Sequence, residues 1–214
     1  MSKIVVIGGT GYAGAALVRH AASRGHEVTS ISRNAADAAV DRVTYVTGNV
    51  TDETFLDEAL ADADAIISAL SPRGELDGRI VEVDRQTARI ARANGARLFV
   101  VGGFSSLRPS EDEPAGAESA DIPEQHRAEI TQMNDVLADL KAEPAGLSWT
   151  FVSPAQEFGA HVPGEELGRY RIGGEVALVD DTGRSAISAT DLARAIVDRI
   201  EEDDYHRSHI GVAY

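Results

Sequence analysis

Glycines occur at every third position in the segment Gly8-Gly9-Thr10-Gly11-Tyr12-Ala13-Gly14, which directly follows the apolar run Lys3–Ile7. A glycine turn between a strand and a helix lets backbone amides approach a phosphate, because glycine carries no side chain that would block it. Gly8 allows the tight turn, Gly11 the approach of a pyrophosphate, and Gly14 the packing of helix on strand. The segment predicts a dinucleotide site; a glycine turn without a ligand is the alternative.

The end of the second predicted strand carries Arg33, in the sequence Ser32-Arg33-Asn34. Sites that prefer NAD typically hold an Asp or Glu at this point, where it bonds the ribose hydroxyls. A guanidinium group instead binds a 2′-phosphate through two parallel hydrogen bonds and stacks on adenine. Arg33 therefore predicts NADP as cofactor, with NADPH preferred over NADH. The alternative is a solvated surface arginine.

Few residues of this sequence are candidates for acid/base catalysis. None of the five tyrosines is followed by a lysine four residues later, so the pair that short-chain dehydrogenases use on alcohols and ketones is missing. A hydride transfer that takes its proton from solvent does not need that pair. Ser105 and His126 are the remaining catalytic candidates. Ser105 offers a hydroxyl group, and His126 offers an imidazole, a group that can titrate near neutral pH. Their alternatives are a serine that caps a loop and a solvated histidine at a helix end.

Charge and composition exclude several classes of function. The formal net charge is −15, which repels nucleic acid and anionic membrane surfaces. The chain has no cysteine, which rules out disulfides and thiolate metal sites, and we predict no other metal site. No apolar run reaches the ~18 residues of a membrane span. We expect a cytoplasmic protein whose partner is a small molecule, with His206 and His209 at its surface.

Short β-branched runs alternate with longer helical patterns along the chain, which is typical of parallel strands joined by crossover helices. The predicted strands are Lys3–Ile7, Glu27–Ser32, Val43–Thr47, Ala65–Ala69, Arg97–Val101, Ser148–Ser153 and His209–Val212. The predicted helices are Gly11–Arg24, Glu53–Ala61, Gly78–Asn94, Pro123–Lys141 and Ala189–Glu202, with caps near Asp52 and Thr190 and stops at Gly25 and Gly95. The fold class is α/β: one Rossmann-type domain, residues 1–214, with a doubly wound, mostly parallel sheet.

Two loop regions, near residues 103–125 and 154–175, are predicted to form the substrate pocket. The first contains Ser105–Ile122, which is rich in Pro, Ser, Glu and Asp, and loops of that length are commonly functional. The aromatic residues Phe104, Phe158 and Tyr170 lie at strand ends or in connections, so they are candidates for the pocket. Trp149 and Phe151 alternate with other apolar residues on a strand and are expected in the core.

Several further segments accompany the glycine motif across nearly the whole chain. They are Ser32-Arg33, Gly48-Asn49-Val50, Arg73, Val100–Gly103, Trp149–Pro154, Gly168–Arg171 and Arg184–Ser188. Together they resemble the atypical short-chain dehydrogenase/reductases of the NAD(P)H-binding family, which include NADH-flavin reductases and the biliverdin-IXβ/flavin reductase branch. The glycine motif is shared by many families, whereas the later segments in combination are more discriminating.

The resemblance implies a role for residues at several strand ends. Asn49 and Val50 would line the adenine. Family members usually carry Asp where this chain has Asn49, but the carbonyl oxygen of the Asn49 side chain can still accept a hydrogen bond from the adenine amino group. The residues expected beside the phosphates and ribose are Ala69, Leu70, Ser71 and Arg73. Those expected around the nicotinamide and the substrate are Gly102, Gly103, Phe104, Ser105, Pro154, Gln156 and Phe158.

Two functions follow from these features. The first is an NADPH-dependent oxidoreductase that transfers a hydride to a flavin or a similar planar conjugated acceptor. The second is a non-catalytic dinucleotide sensor, as in regulatory relatives that share the fold and also lack the tyrosine-lysine pair. Fold alone does not separate the two, because one scaffold hosts both.

Overall fold

Strands and helices alternate through most of the chain in the computed structural model, which describes residues 1–36, 38–116, 122 and 124–214. The strands are β1 Lys3–Ile7, β2 Glu27–Ser32, β3 Val43–Thr47, β4 Ala65–Ser68, β5 Arg97–Val101, β6 Ser148–Pro154, β7 Arg171–Gly173 and β8 Ser208–Ala213. The helices are α1 Tyr12–Ser23, α2 Glu53–Ala59, α3 Ile80–Asn94, α4 Glu124–Ala142 and α5 Ala189–Glu202.

The strands of the described residues form one sheet in the order β3-β2-β1-β4-β5-β6-β8-β7. Neighbours are parallel except at the edge, where β7 is antiparallel to β8. The chain runs from β1 outward to β3 and then resumes with β4 on the other side of β1. Such a reversal leaves a crevice beyond the carboxyl ends of the strands, where ligands bind in open α/β sheets. The predicted fold class is confirmed.

Each central strand is buried on both faces. On β1, Val5 and Ile7 belong to the core shared with α2, α3 and α4, whereas Ile4 and Val6 belong to the core shared with α1 and α5. This double burial explains why the strands are continuous apolar runs rather than alternating ones. Trp149 and Phe151 are 3% and 0% exposed, so their prediction as core residues is confirmed.

Most helix ends follow the predicted signals. The Asp52 side chain accepts hydrogen bonds from the amides of Thr54 and Phe55 at the start of α2, and Gly95, with φ +70°, ends α3. Ser188, two residues before Thr190, caps α5 by accepting from the amide of Asp191. A polar side chain satisfies an amide that the first helical turn leaves without a partner.

One predicted helix starts later than expected, and one strand of the structure was not predicted. Helix α3 starts at Ile80 rather than Gly78, because Gly78 has φ +74°, a left-handed conformation that a right-handed helix excludes. Strand β7 was not predicted: its three residues show no apolar run, and pairing with β8 defines it. Smaller differences, of one or two residues, lie at the ends of α1, α2, α4, β4, β6 and β8.

The loop predicted over Ser105–Ile122 is tied to the chain after β7 in its first half. The amide of Arg108 donates to the Glu175 carbonyl, and the amide of Ala177 donates to the Arg108 carbonyl, both at 2.8 Å. The remainder of the loop includes residues 117–121, which lie outside the described residues, as does Pro123, the predicted start of α4.

The prediction that His209 lies at the surface is wrong. His209 is 7% exposed, because β8 lies between β6 and β7 rather than at the edge of the sheet. Its Nε2 lies 2.9 Å from the Ser153 hydroxyl, and burial lowers the pKa of the imidazole to about 4. Ser153 is completely buried, so this Ser-His pair is closed to substrates. His206 is exposed, as predicted.

A buried carboxyl group, Asp84 on α3, faces the end of β4. It is 3% exposed, and the Ser68 hydroxyl donates to its Oδ1 at 2.7 Å. Burial is the larger influence on this group and raises the pKa of Asp84 to about 6, while the bond from Ser68 opposes the rise. The folded protein therefore holds this proton more tightly than the unfolded chain does.

We expect Asp84→Asn to gain stability relative to the wild type as the pH rises. Between pH 3.8, the ordinary pKa, and about pH 6, the folded wild type keeps a proton that the unfolded chain releases, so its free energy of unfolding falls. The amide has no proton to lose. The difference between variant and wild type should change by up to about 3 kcal/mol over this window, measured by urea unfolding at several pH values.

Glu82→Gln is the control, because Glu82 is an exposed carboxylate on the same helix. Its difference from the wild type should stay within a few tenths of a kcal/mol at every pH. The contribution of His209, which has the opposite sign, is common to all three proteins and cancels. A pH-independent difference for Asp84→Asn would contradict the assignment.

Candidate functional site

The glycine segment forms a tight turn at the carboxyl end of β1. Gly8 has φ +82°, a conformation that side chains rarely adopt, and the amides of Gly8 and Gly9 donate to the Ile31 carbonyl at 2.8 and 3.1 Å. The amide of Gly11 donates back to the Gly8 carbonyl at 2.9 Å. These bonds attach the turn to the end of β2 and direct the chain into α1.

The three motif glycines serve different purposes. A Cβ on Gly14 would lie 2.1 Å from the Gly8 carbonyl oxygen, so only glycine lets α1 pack this closely on the turn. A Cβ on Gly9 would lie 2.2 Å from the Ser30 hydroxyl oxygen. A Cβ on Gly11 meets only the Gly8 oxygen, at 3.2 Å, and Gly11 lines the cleft. Gly11 therefore leaves room for a ligand rather than for protein.

The amino terminus of α1 is built to receive an anion. Gly11 is its N-cap and supplies no side-chain hydrogen bond to the first turn, and that turn contains no acidic residue. The first amides of a helix have no partner within the helix, and the helix dipole adds positive potential there. A phosphate group can accept hydrogen bonds from these amides, and its negative charge is stabilised by the positive potential. A pyrophosphate is bound at such a turn in this way.

A cleft of about 230 Å³ opens beside this helix end. The residues that line it and that were predicted from the sequence are Gly8, Thr10, Gly11, Arg33, Asn49, Val50, Ala69, Leu70, Ser71 and Arg73. The other predicted residues of the segment, Gly9, Tyr12, Ala13 and Gly14, belong to the turn and the start of α1 and do not line this cleft. The carboxyl ends of β1, β2 and β4 thus bring together residues that are up to 65 positions apart, from Gly8 to Arg73.

The Asn49 side chain is hydrogen-bonded within its own loop. Its Oδ1 atom, expected to bond the adenine amino group, accepts from the amide and hydroxyl of Thr51, at 3.0 and 2.9 Å, and the adenine contact stays a prediction. Asparagine commonly bonds its own backbone two residues on, and that local geometry competes with ligand binding. Asn49 still lines the cleft.

A second cavity, of about 420 Å³, adjoins the first, since Leu70, Ser71 and Arg73 line both. The other residues that line it and that were predicted are Gly102, Gly103, Phe104, Ser105, His126 and Gln156. Three residues of α4 also line it and were not predicted from the sequence: Glu129, Ile130 and Met133. Their signal is helical spacing: residues three, four and seven positions after His126 share its face.

Besides the four residues of the glycine segment, three predicted residues lie outside both cavities, as the described residues define them. Pro154 is buried at the end of β6. The Phe158 ring packs edge-on against Tyr12, with centroids 5.2 Å apart, and supports α1 instead of the pocket. The prediction for Tyr170 is wrong: its hydroxyl donates to Asp198 of α5 at 2.6 Å, and it lines a separate pocket with Arg171 and Tyr214. Burial, with the Asp198 bond, raises the pKa of Tyr170 to about 12.

Two ion pairs cross the cavities. Arg33 Nη1 lies 3.2 Å from Glu75 Oε2, and the Arg73 guanidinium binds both carboxylate oxygens of Glu129 at 3.0 and 2.9 Å. Glu75 also lines the cleft and was not predicted as a site residue from the sequence. The sequence gives little indication of a binding role for it, because an acidic residue in a polar loop is most often solvated.

The described part of the chain shows neither a metal site nor a membrane-spanning helix. No three His, Asp or Glu side chains among those residues are grouped so that they could hold a metal ion. No helix there is long and apolar enough to cross a bilayer.

Comparison with known proteins agrees with this geometry. The model of a family described as NAD(P)H-binding matches residues 8–203. The uncharacterized protein YwnB of Bacillus subtilis is 31% identical over 212 residues, which are 98% of this chain and 97% of YwnB.

Solved structures extend the likeness to the whole fold. A "putative exported protein" from Burkholderia pseudomallei is 34% identical with a TM-score of 0.85, and the alignment covers 100% of both chains. A "putative NADH-flavin reductase" from Streptococcus pneumoniae is 29% identical with a TM-score of 0.84, covering 100% of this chain and 99% of that one.

The glycine positions can be separated by mutation. Gly11→Val should fold, because Gly11 has φ −72° and faces the cleft, but should lose at least about tenfold in dinucleotide affinity, because the side chain occupies the approach of the pyrophosphate. Gly14→Ala should instead lower the free energy of unfolding by about 1 to 3 kcal/mol, because its Cβ overlaps the Gly8 carbonyl. Fluorescence titration and thermal unfolding measure the two effects.

Gly174→Val is the matched control, since a Cβ there meets nothing within 4 Å and lies outside both cavities. It should bind dinucleotide as the wild type does. Unchanged titration curves for Gly11→Val would refute the placement of the pyrophosphate.

Proposed function

Because this chain belongs to the NAD(P)H-binding family, a family of oxidoreductase type, we propose that it is an NADPH-dependent oxidoreductase that reduces a flavin or a similar planar conjugated acceptor. The observation that carries the proposal is the junction of the two cavities at Leu70, Ser71 and Arg73. One cavity has the glycine turn of a dinucleotide site, and the other is an apolar pocket beside it. Cofactor and acceptor can therefore meet at a shared wall.

Arg33 supports the choice of NADPH. It lies directly after β2 and lines the same cleft as Gly8 and Gly11, with its side chain 52% exposed. Its guanidinium is within reach of a ligand, and a bond between guanidinium and phosphate is charge-assisted. Ser32, the last residue of β2, is uncharged where NAD sites typically place a carboxylate, and its hydroxyl donates to the Asn34 carbonyl at 2.6 Å.

The second cavity supports a flat, largely uncharged acceptor. Its walls include Leu70, Val101, Phe104, Ile130 and Met133, which supply apolar surface on several sides. Its volume falls within the range of small-molecule pockets. Stacking of aromatic faces adds about 0.5 to 1.5 kcal/mol beyond burial, which favours a ring system over a small alcohol.

The residues of the pocket suit hydride transfer without an obligatory protein acid. A bound NADPH would supply the hydride. Ser105 and His126 line the cavity, where a hydroxyl and an imidazole can orient an acceptor through hydrogen bonds. His126 is exposed to solvent, so protons can reach the acceptor through water. The cytoplasmic location predicted from the sequence stays a prediction.

Cofactor preference is tested with Arg33→Gln. We expect NADPH to bind at least about tenfold more weakly, because the variant loses a charge-assisted bond worth about 1.5 to 3 kcal/mol, while NADH binding stays within about twofold. Arg85→Gln is the control, because Arg85 is equally exposed, at 51%, and lies outside the cleft. Equal dissociation constants of the wild type for NADPH and NADH would overturn the assignment.

Turnover is tested by the loss of NADPH absorbance in the presence of riboflavin. Ser105→Ala and His126→Ala should each keep most of the wild-type rate, because neither side chain is required as a proton donor, whereas Gly11→Val should abolish turnover. A loss of about 1,000-fold in either alanine variant, with cofactor binding intact, would assign acid/base catalysis to that residue. Binding of NADPH without turnover on any planar acceptor would favour a dinucleotide sensor.

A further inference from the structure

The carboxylate of Glu75 lies on the opposite side of the cofactor cleft from β2 and reaches Arg33, which directly follows that strand. Its Oε2 is 3.2 Å from Nη1 of Arg33. Both side chains line the cleft together with Gly8 and Asn49, and both also line an adjoining open recess with Asn34 and Gly48. The Glu75 carboxylate is therefore paired with the same guanidinium group that the proposed function assigns to the 2′-phosphate.

The loop between β4 and α3 holds Glu75 in this place. Glu75 belongs to a short 3₁₀ turn, Gly74–Leu76, and Leu76 anchors that turn in the core at 7% exposure. Arg73, just before the turn, binds Glu129 of α4 through two hydrogen bonds. The loop is thus fastened on one side of the cleft to α4 and on the other to Arg33.

A phosphate on the ribose competes with this carboxylate for the same donors. It carries close to two negative charges at neutral pH, so it needs the N–H groups of Arg33 and is repelled by Glu75. A bare 2′-hydroxyl adds no charge and can donate a hydrogen bond to a carboxylate. Glu75 consequently opposes the binding of NADPH and tolerates the binding of NADH.

We propose that Glu75 is a specificity-determining residue that narrows the preference for NADPH over NADH which Arg33 creates. The inference rests on the proposed function, since it concerns the same cofactor cleft. Arg33 alone would favour the 2′-phosphate strongly, whereas the Arg33–Glu75 pair makes a site that accepts both dinucleotides. Selectivity is then set by the balance of two charges on different loops rather than by the β2 end alone.

Glu75→Gln tests the proposal, because it removes the charge and keeps the shape of the side chain. Adenosine 2′,5′-bisphosphate and ADP are suitable probes, since both carry a 5′-phosphate and only the first carries a phosphate on the 2′ position. We expect the variant to bind adenosine 2′,5′-bisphosphate and NADPH about threefold to tenfold more tightly, with ADP and NADH bound within about twofold of the wild type or more weakly. The gain should shrink as the salt concentration rises.

Glu82→Gln is a closely matched control. Glu82 pairs with Arg85 at 3.1 Å, with side-chain exposures of 70% and 51%, against 67% and 52% for Glu75 and Arg33. It lies on α3, outside the cleft, and its loss should leave all four dissociation constants unchanged.

The outcomes separate the inference from the function on which it rests. An unchanged ratio of NADPH to NADH affinity in Glu75→Gln would overturn the inference alone, and so would weaker binding of NADPH, which would make Glu75 a support for Arg33. A wild type that binds neither dinucleotide would overturn the proposed function, and the inference with it.

Discussion

The close approach of α1 to the end of β1 is the contact on which the rest of the site depends. Gly14 lies so near the Gly8 carbonyl that a Cβ would be 2.1 Å from its oxygen. This contact sets where α1 begins and therefore where its unpaired amides point. Because β1 is also the strand at which the sheet order reverses, those amides face the crevice beyond the strand ends.

The cleft is controlled by charges that come from separate parts of the chain. Arg33 follows β2, Arg73 and Glu75 come from the loop after β4, and Glu129 comes from α4. Among the residues that the structure describes, each arginine that lines the cleft is paired with an acid, although the cleft is suited to a phosphorylated ligand. In a protein of net charge −15, the backbone amides of the glycine turn, at a helix start without an acidic residue, add to the local attraction for a phosphate.

The local sequence pattern predicted the strands well where both faces of a strand are buried. The central strands are apolar on both faces, so their residues are recognisable without knowing their neighbours. The same approach missed β7, whose residues are held by pairing with β8 rather than by their own composition. It placed Tyr170 in the wrong pocket and His209 at the surface, because the order of β6, β8 and β7 decides which side chains at this end of the sheet are covered.

Sequence by itself determined the fold class, the glycine turn and the position of Arg33, because each depends on residues close together in the chain and on backbone geometry that glycine alone permits. Only the tertiary structure decided that Glu75 faces Arg33, that Glu129 holds Arg73, and that the two cavities share a wall. These are contacts between segments 42 and 56 residues apart, as the separations of the two ion pairs show. Such contacts arise from strand order and helix packing, which no local spacing encodes.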